Sequence, residues 1–123
     1  MKYVRFQSLE RCYYAPSKVG IFQIAGAVCD DHETFAYFAD AIGEQLNWFN
    51  TYLHVPKYYT WDDRVIFWFK DSAHEPLARI WAMKPHLEAC GYWIDVVKTA
   101  RPGRIFYEDG WQIAAKPWRD GRY

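Results

Sequence analysis

The chain of 123 residues is predicted to form one α+β domain spanning residues 1–123. We expect a mostly antiparallel sheet of four or five strands with one parallel crossover, packed by two or three helices. Three observations predict this class. Segments with an apolar period of two alternate with segments whose apolar residues recur every three or four positions. The dipeptide Asp109-Gly110 separates two strand-like segments and predicts a hairpin. A chain of this size buries roughly two-thirds of its unfolded surface, which is enough for one core.

The N-terminal third predicts a strand followed by a short helix. Val4 and Phe6 alternate with Tyr3 and Arg5, as on a strand with one buried face. Residues 20–28 then carry apolar side chains at positions i, i+3, i+4 and i+7, which predicts a short buried helix over that range.

A long helix is the next element. Large apolar residues recur at spacings of 3, 4, 4, 3 and 4, so they share one face of a helix that ends before Pro56. The residues of this face are Phe35, Phe38, Ile42, Leu46, Phe49 and Leu53.

The central part of the chain predicts a strand, a helix and a second strand. Residues 65–69 are apolar on both faces, as in a central strand. Ser72 and Glu75 resemble a capping box that starts a helix, and Gly91 is placed to end it. Residues 93–99 form the second strand, and the single-helix connection predicts that the two strands lie parallel. The helix residues predicted to point inward are Leu77, Ile80, Trp81 and Leu87.

The hairpin segment also carries a resemblance. Residues 101–112, which include Pro102-Gly103 and Tyr107-Glu108-Asp109, resemble the C-terminal signature of an uncharacterised family of small bacterial and phage proteins. Residues 13–16 and 19–22 resemble the same family, and the likeness covers about a quarter of the chain. The resemblance implies a phage or mobile-element origin and lends no activity.

Composition and motifs exclude several classes of function. No apolar run reaches the roughly 18 residues of a membrane span, and the N-terminus lacks the apolar core of a secretion signal, so we expect a cytoplasmic protein. The three cysteines, Cys12, Cys29 and Cys90, form no CxxC motif and are interpreted as reduced thiols. No nucleophile elbow or glycine-rich phosphate loop is present. We therefore expect no metal and no cofactor, and nothing in the sequence demands catalysis.

One side of the long helix predicts a binding surface. Two large aromatic residues interrupt its acidic side, opposite the predicted buried face, and interfaces are enriched in such residues. The candidate partner-binding residues are Glu33, Tyr37, Asp40, Glu44 and Trp48. The leading interpretation is a small accessory or inhibitor-like protein that binds another protein. The alternative is that the N-terminal segment or the loop 58–61 covers the rings of Tyr37 and Trp48, so that they belong to the core.

A basic and aromatic patch near the C-terminus supports a second hypothesis. Residues 98–123 carry six basic and three acidic residues. Such a patch suits a nucleotide or nucleic acid and would make the protein a ligand-binding module or small enzyme. Its candidate residues are Lys70, Arg101, Arg104 and Trp111. Self-association is a third hypothesis, because an acidic helix and a basic C-terminal end attract each other.

Overall fold

A computed structural model describes residues 2–11, 18–54, 56 and 64–118. Three helices and six strands alternate along these residues, so the predicted α+β class is confirmed. In chain order the elements are β1 (Tyr3–Arg11), β2 (Lys18–Gly20), α1 (Ile21–Asp30), α2 (His32–Tyr52), β3 (Ile66–Lys70), α3 (His74–Ala89), β4 (Ile94–Thr99), β5 (Arg104–Glu108) and β6 (Gln112–Lys116).

All six strands join one sheet, in which β1 is the central connection. The order is β2-β1-β3-β6-β5, and β4 pairs with β1. Every pairing recorded among the described residues is antiparallel. No two of the described strands therefore pair in parallel: β3 and β4 run in the same direction, as predicted, but β1 lies between them and pairs antiparallel with both. Tyr3 and Val4 pair with β3 on one edge of β1 and with β4 on the other, so the N-terminal strand lies between the two strands that α3 connects.

The short connection from β4 to β5 requires the sheet to twist or bend. Thr99 and Arg104 are five residue steps apart and can be separated by at most about 18 Å. In a flat sheet, four strand spacings of about 4.8 Å would separate β4 from β5 by about 19 Å, before any offset along the strands. The two ends must therefore approach each other by twisting and bending of the sheet.

The two faces of the sheet contribute to two hydrophobic clusters. The larger cluster lies between one face and the helices and includes Val4, Phe6 and Phe69 together with Ile42 and Phe49 of α2. The smaller cluster occupies the other face. It contains Ile66, Trp68, Ile113 and Ala115, with Tyr3 and Val97 packed against it.

The apolar faces predicted for the first two helices are confirmed. The buried residues of α1 are Ile21, Ile24, Ala25 and Val28. In α2, Ile42 and Phe49 are buried, and the rest of the predicted face packs partly buried against the same cluster. These helices follow the sequence pattern because each has a single apolar side.

The third helix corrects two predictions. Its N-cap is Ala73, whose side chain makes no capping hydrogen bond, so the capping box at Ser72 is wrong. Trp81 was predicted to point inward, and its ring does pack edge-on against the buried Phe6 at 5.2 Å between centroids, but 50% of the residue is exposed. The end of the helix is as predicted: Gly91 has φ +96° and donates to Glu88, while Tyr92 donates to Leu87. These are the two hydrogen bonds of a Schellman motif.

Candidate interaction surface

The outer side of α2 carries most of the predicted partner-binding residues. Tyr37 is 86% exposed, and Glu33, Asp40 and Glu44 are exposed with it. The helix contains these three acidic residues and no Lys or Arg. Glu33 lies in the first turn, before Phe35 interrupts the helical backbone with φ −116° and ψ 26°. Tyr37, Asp40 and Glu44 follow this interruption and share one continuous helical surface.

Trp48 has a different role from the other four residues. Its ring stacks on Trp111 with 5.6 Å between centroids and an angle of 26°. The guanidinium carbon of Arg79 lies 4.8 Å from the centroid of the same ring. Trp48 is half-buried and packs against the larger cluster. It therefore joins α2 to α3 and to the turn between β5 and β6 rather than standing free on the surface.

Contacts of α2 with its neighbours fix the direction of the Tyr37 side. Toward α3, Phe38 lies 6.2 Å from the His86 ring, measured between centroids. Toward α1, the carbonyl oxygen of Ala39 lies 3.7 Å from the Cys29 thiol. Successive residues of an α-helix are about 100° apart around its axis. Phe38 and Ala39 mark the two flanks of α2 and Ile42 marks its buried side, so the side of Tyr37, Asp40 and Glu44 is the one left uncovered. We conclude that this side points away from the sheet.

An exposed apolar face on α3 was missed in the sequence analysis. Its residues are Ala78, Trp81, Ala82, Pro85 and Ala89, and all five are exposed. Trp81 forms the edge of this set, because its ring also packs edge-on against the buried Phe6 at 5.2 Å between centroids. We call this set the α3 apolar face. It spans about 100° of the helix circumference and lies opposite the buried Ile80, Met83 and Leu87. The available signal was that α3 is apolar on both sides, a pattern typical of a helix covered on both sides.

The charged residues of α3 pair within the helix. Arg79 bonds Glu75 at 3.0 Å, and Lys84 bonds Glu88 at 2.9 Å. The Lys84 ammonium also lies 5.9 Å from the Trp81 ring and 5.8 Å from that of Trp93, which is 64% exposed. Because each of these two ion pairs joins one basic and one acidic residue, they add no net charge beside the acidic α2.

The residues of the predicted ligand pocket do not converge on one site. Lys70 and Trp111 are neighbours, since the Lys70 amide donates to the Trp111 carbonyl oxygen at 2.8 Å. Lys70 also forms an ion pair with Glu108 at 2.6 Å. Arg104 pairs with Lys116 at the far end of β5, and the exposed Arg101 lies in the connection from β4. The structure thus separates Arg104 from the Lys70 end of the sheet by the length of a strand.

The predicted hairpin is confirmed, but its turn relies on a side chain. The Asp109 carboxylate accepts hydrogen bonds from the amides of Trp111 and Gln112 through Oδ1. Its Oδ2 accepts from the Tyr107 hydroxyl and from the Gln112 side chain. Neither Asp109 nor Gly110 has a positive φ, so the turn is not one of the mirror-image types that commonly close two-residue hairpins. Burial raises the pKa of Asp109, but the four hydrogen bonds outweigh burial and lower the pKa overall.

Several features of the described residues bear on metal, thiol and ligand chemistry. No group of three His, Cys, Asp or Glu side chains within this part of the chain could hold a metal ion. Burial raises the pKa of the Cys29 and Cys90 thiols, which opposes thiolate formation; Cys12 lies outside the described residues. A cleft beside Arg5 and Gln112 has a volume of about 60 Å³, too small for a nucleotide. No helix in the described ranges is both long and apolar enough to cross a membrane.

Comparison with known proteins gives no relative. No protein-family model, curated protein or solved structure matches the chain. Any functional assignment must therefore come from the geometry of these surfaces.

Proposed function

We propose that the protein is a small, non-catalytic, cytoplasmic interaction protein that binds another protein through the outer side of α2. One observation carries the proposal: Tyr37 is 86% exposed on a helix that has three acidic residues and no cation. Tyrosine contributes a large contact area and a hydroxyl for hydrogen bonding, and it is enriched at interfaces. A ring this exposed adds almost nothing to the stability of the free protein.

The charge of α2 supports a basic partner surface. Asp40 and Glu44 are exposed beside Tyr37 on the outward side of the helix. Charges of this kind accelerate association with a surface of opposite charge and reject surfaces of like charge. Binding is therefore expected to weaken with rising salt concentration.

Photo-crosslinking in the source cells tests the proposal. Benzoylphenylalanine is placed at Tyr37 or, as a control, at Gln23, which is exposed on α1. We expect one protein adduct at position 37 that is absent at position 23. Introducing Glu44→Lys should reduce that adduct, because it reverses one charge beside the ring. Absence of an adduct at position 37, or the same adduct at both positions, would overturn the proposal.

A further inference from the structure

We propose that the partner segment is a basic amphipathic α-helix that lies along both α2 and α3. Its apolar side contacts the α3 apolar face, and its Lys and Arg side chains lie over the acidic side of α2. This inference rests on the proposed function and adds the class of partner and its orientation. Amphipathic helices commonly bind in this way, with apolar anchors at i, i+3, i+4 and i+7.

The first step is the width of the α3 apolar face. Its arc of about 100° equals the apolar arc of a typical core-facing helix. Here that arc is turned outward and Trp81 is 50% exposed within it. Contiguous exposed apolar surface rimmed by polar residues is typical of interaction sites.

The second step is the position of Tyr37 relative to that face. The Tyr37 ring lies edge-on to Phe38 at 5.0 Å, and Phe38 contacts His86 of α3. Tyr37 therefore lies on the α3 side of α2, whereas Trp93 lies beside Lys84 at the opposite flank of α3. The α3 apolar face thus lies between exposed aromatic rings on both flanks.

The third step is the length and chemistry of the partner. From Ala78 to Ala89 the face extends about 16 Å, which is three helical turns at about 1.5 Å per residue. Main-chain donors and acceptors in the middle of an α-helix already pair with each other. A helical partner can therefore dock on this helical surface through side chains alone. A segment that is apolar on one side and basic on the adjacent side complements both surfaces. Its apolar side matches the neutral α3, and its basic side matches the acidic α2.

Charge also disfavours a second copy as the occupant. Two copies meeting through this surface would bring together two acidic α2 helices that contain no Lys or Arg. Like charges brought together in an interface oppose association.

Calorimetry with designed peptides tests the inference. The probe is a peptide of 14 residues with leucine at i, i+3, i+4 and i+7 and lysine on one flank. Two controls are an isomer with the leucines at a period of two and a version with glutamate in place of lysine. We expect only the basic helical peptide to bind, and more weakly as salt rises. Failure of that peptide to bind, or equal binding of either control, would overturn the inference.

Two substitutions at one site separate apolar contact from charge. Ala82→Lys and Ala82→Glu each place a long charged side chain on the exposed centre of the α3 apolar face. We expect both to weaken peptide binding at least tenfold, with Gln23→Lys as the control without effect. If Ala82→Lys weakens peptide binding but Ala82→Glu strengthens it, the peptide binds by charge attraction alone. That result would overturn the proposed docking of a helix on the α3 apolar face. Far-UV circular dichroism verifies that each variant is folded.

The remaining outcomes distinguish this inference from the proposed function. If the crosslink at Tyr37 persists in Ala82→Lys at full yield, the α2 interaction stands and the docking pose on α3 is wrong. If no crosslink forms, the proposed function itself fails. If sedimentation shows a dimer that Ala82→Lys converts to a monomer, the occupant is a second copy and the inference is overturned.

Discussion

Gly103 is the residue on which the connection between β4 and β5 depends. Its φ is +118°, and a Cβ atom at this position would overlap the carbonyl oxygen of Lys116. We predict that Gly103→Ala lowers the free energy of unfolding by about 2 kcal/mol or more, because both backbone strain and a main-chain clash must be relieved. Urea denaturation followed by far-UV circular dichroism measures the change.

Gly110→Ala is the matched control for that substitution. Gly110 lies in the neighbouring hairpin, has no positive φ, and a Cβ atom there would meet nothing within 4 Å. The control should shift stability by less than about 0.5 kcal/mol. Equal effects of the two substitutions would show that Gly103 is not under the constraint described.

Asp109 predicts a specific dependence of stability on pH. The unfolded carboxyl has a pKa near 3.9, and the folded pKa is lower because the carboxylate accepts four hydrogen bonds. Its stabilising contribution is therefore complete above roughly pH 5 and is lost as pH falls through the folded pKa. We predict that the stability difference between the wild type and Asp109→Asn narrows steadily below about pH 4. Denaturation curves across this range measure it.

The asparagine variant is chosen to keep the shape of the side chain. Its amide oxygen can still accept from the Trp111 and Gln112 amides, but its NH₂ group cannot accept from Tyr107. The variant should accordingly be less stable at neutral pH. A stability difference that does not change with pH would argue against an ionised Asp109 as the acceptor.

At the scale of the element, α2 carries both a residue that packs against other elements, Trp48, and a residue that lies on the surface, Tyr37. Trp48→Ala removes the stack on Trp111 and the contact with Arg79, and we predict a loss of roughly 2–3 kcal/mol of stability. This is below the usual cost for a fully buried tryptophan, because Trp48 is half-buried. Thermal and urea denaturation of the single variant give the value.

Tyr37→Ala provides the contrast on the same helix. The ring is 86% exposed, so we predict a change in stability of less than about 0.5 kcal/mol. A comparable loss in both variants would mean that Tyr37 also contributes to packing, which would weaken its assignment to the interaction surface.

Local sequence patterns predicted the helices because the residues that define a helix face or a helix end lie within a few turns of one another. The i, i+3, i+4 recurrence identified the buried faces of α1 and α2, and Gly91 identified the end of α3. The same reasoning held only in part at Trp81, whose ring packs on Phe6 but is 50% exposed, because α3 carries apolar residues around most of its circumference. Periodicity alone cannot tell which of two apolar helix faces is buried when both fit the i, i+3, i+4 spacing.

Contacts between distant segments explain the other errors. The hairpin of β5 and β6 was predictable because its partners are neighbours in sequence. The insertion of β1 between β3 and β4 was not, since Tyr3 pairs with Thr99 across nearly the whole chain. The candidate site shows the same division: the exposure of Tyr37 follows from the helix wheel, whereas the packing of Trp48 depends on the distant Trp111.

At the scale of the whole molecule, the two hydrophobic clusters share their strands. Phe69 belongs to the larger cluster, and its neighbour Trp68 belongs to the smaller one on the opposite face of β3. We predict a single cooperative unfolding transition, because loss of either cluster removes the strand that supports the other. Coincident near-UV and far-UV melting curves would support this. Two resolved transitions would contradict the prediction of one domain.

The position of β1 also governs when folding can occur during synthesis. Tyr3 and Thr99 are 96 residues apart in sequence, and β1 obtains its long partner only when β4 has been made. At roughly 5–20 residues per second, a ribosome needs about 5 to 20 seconds to cover that interval. The nascent strand therefore leaves the exit tunnel well before its longest pairing can form, and the backbone groups on the edge that faces β4 stay available to chaperones until β4 emerges.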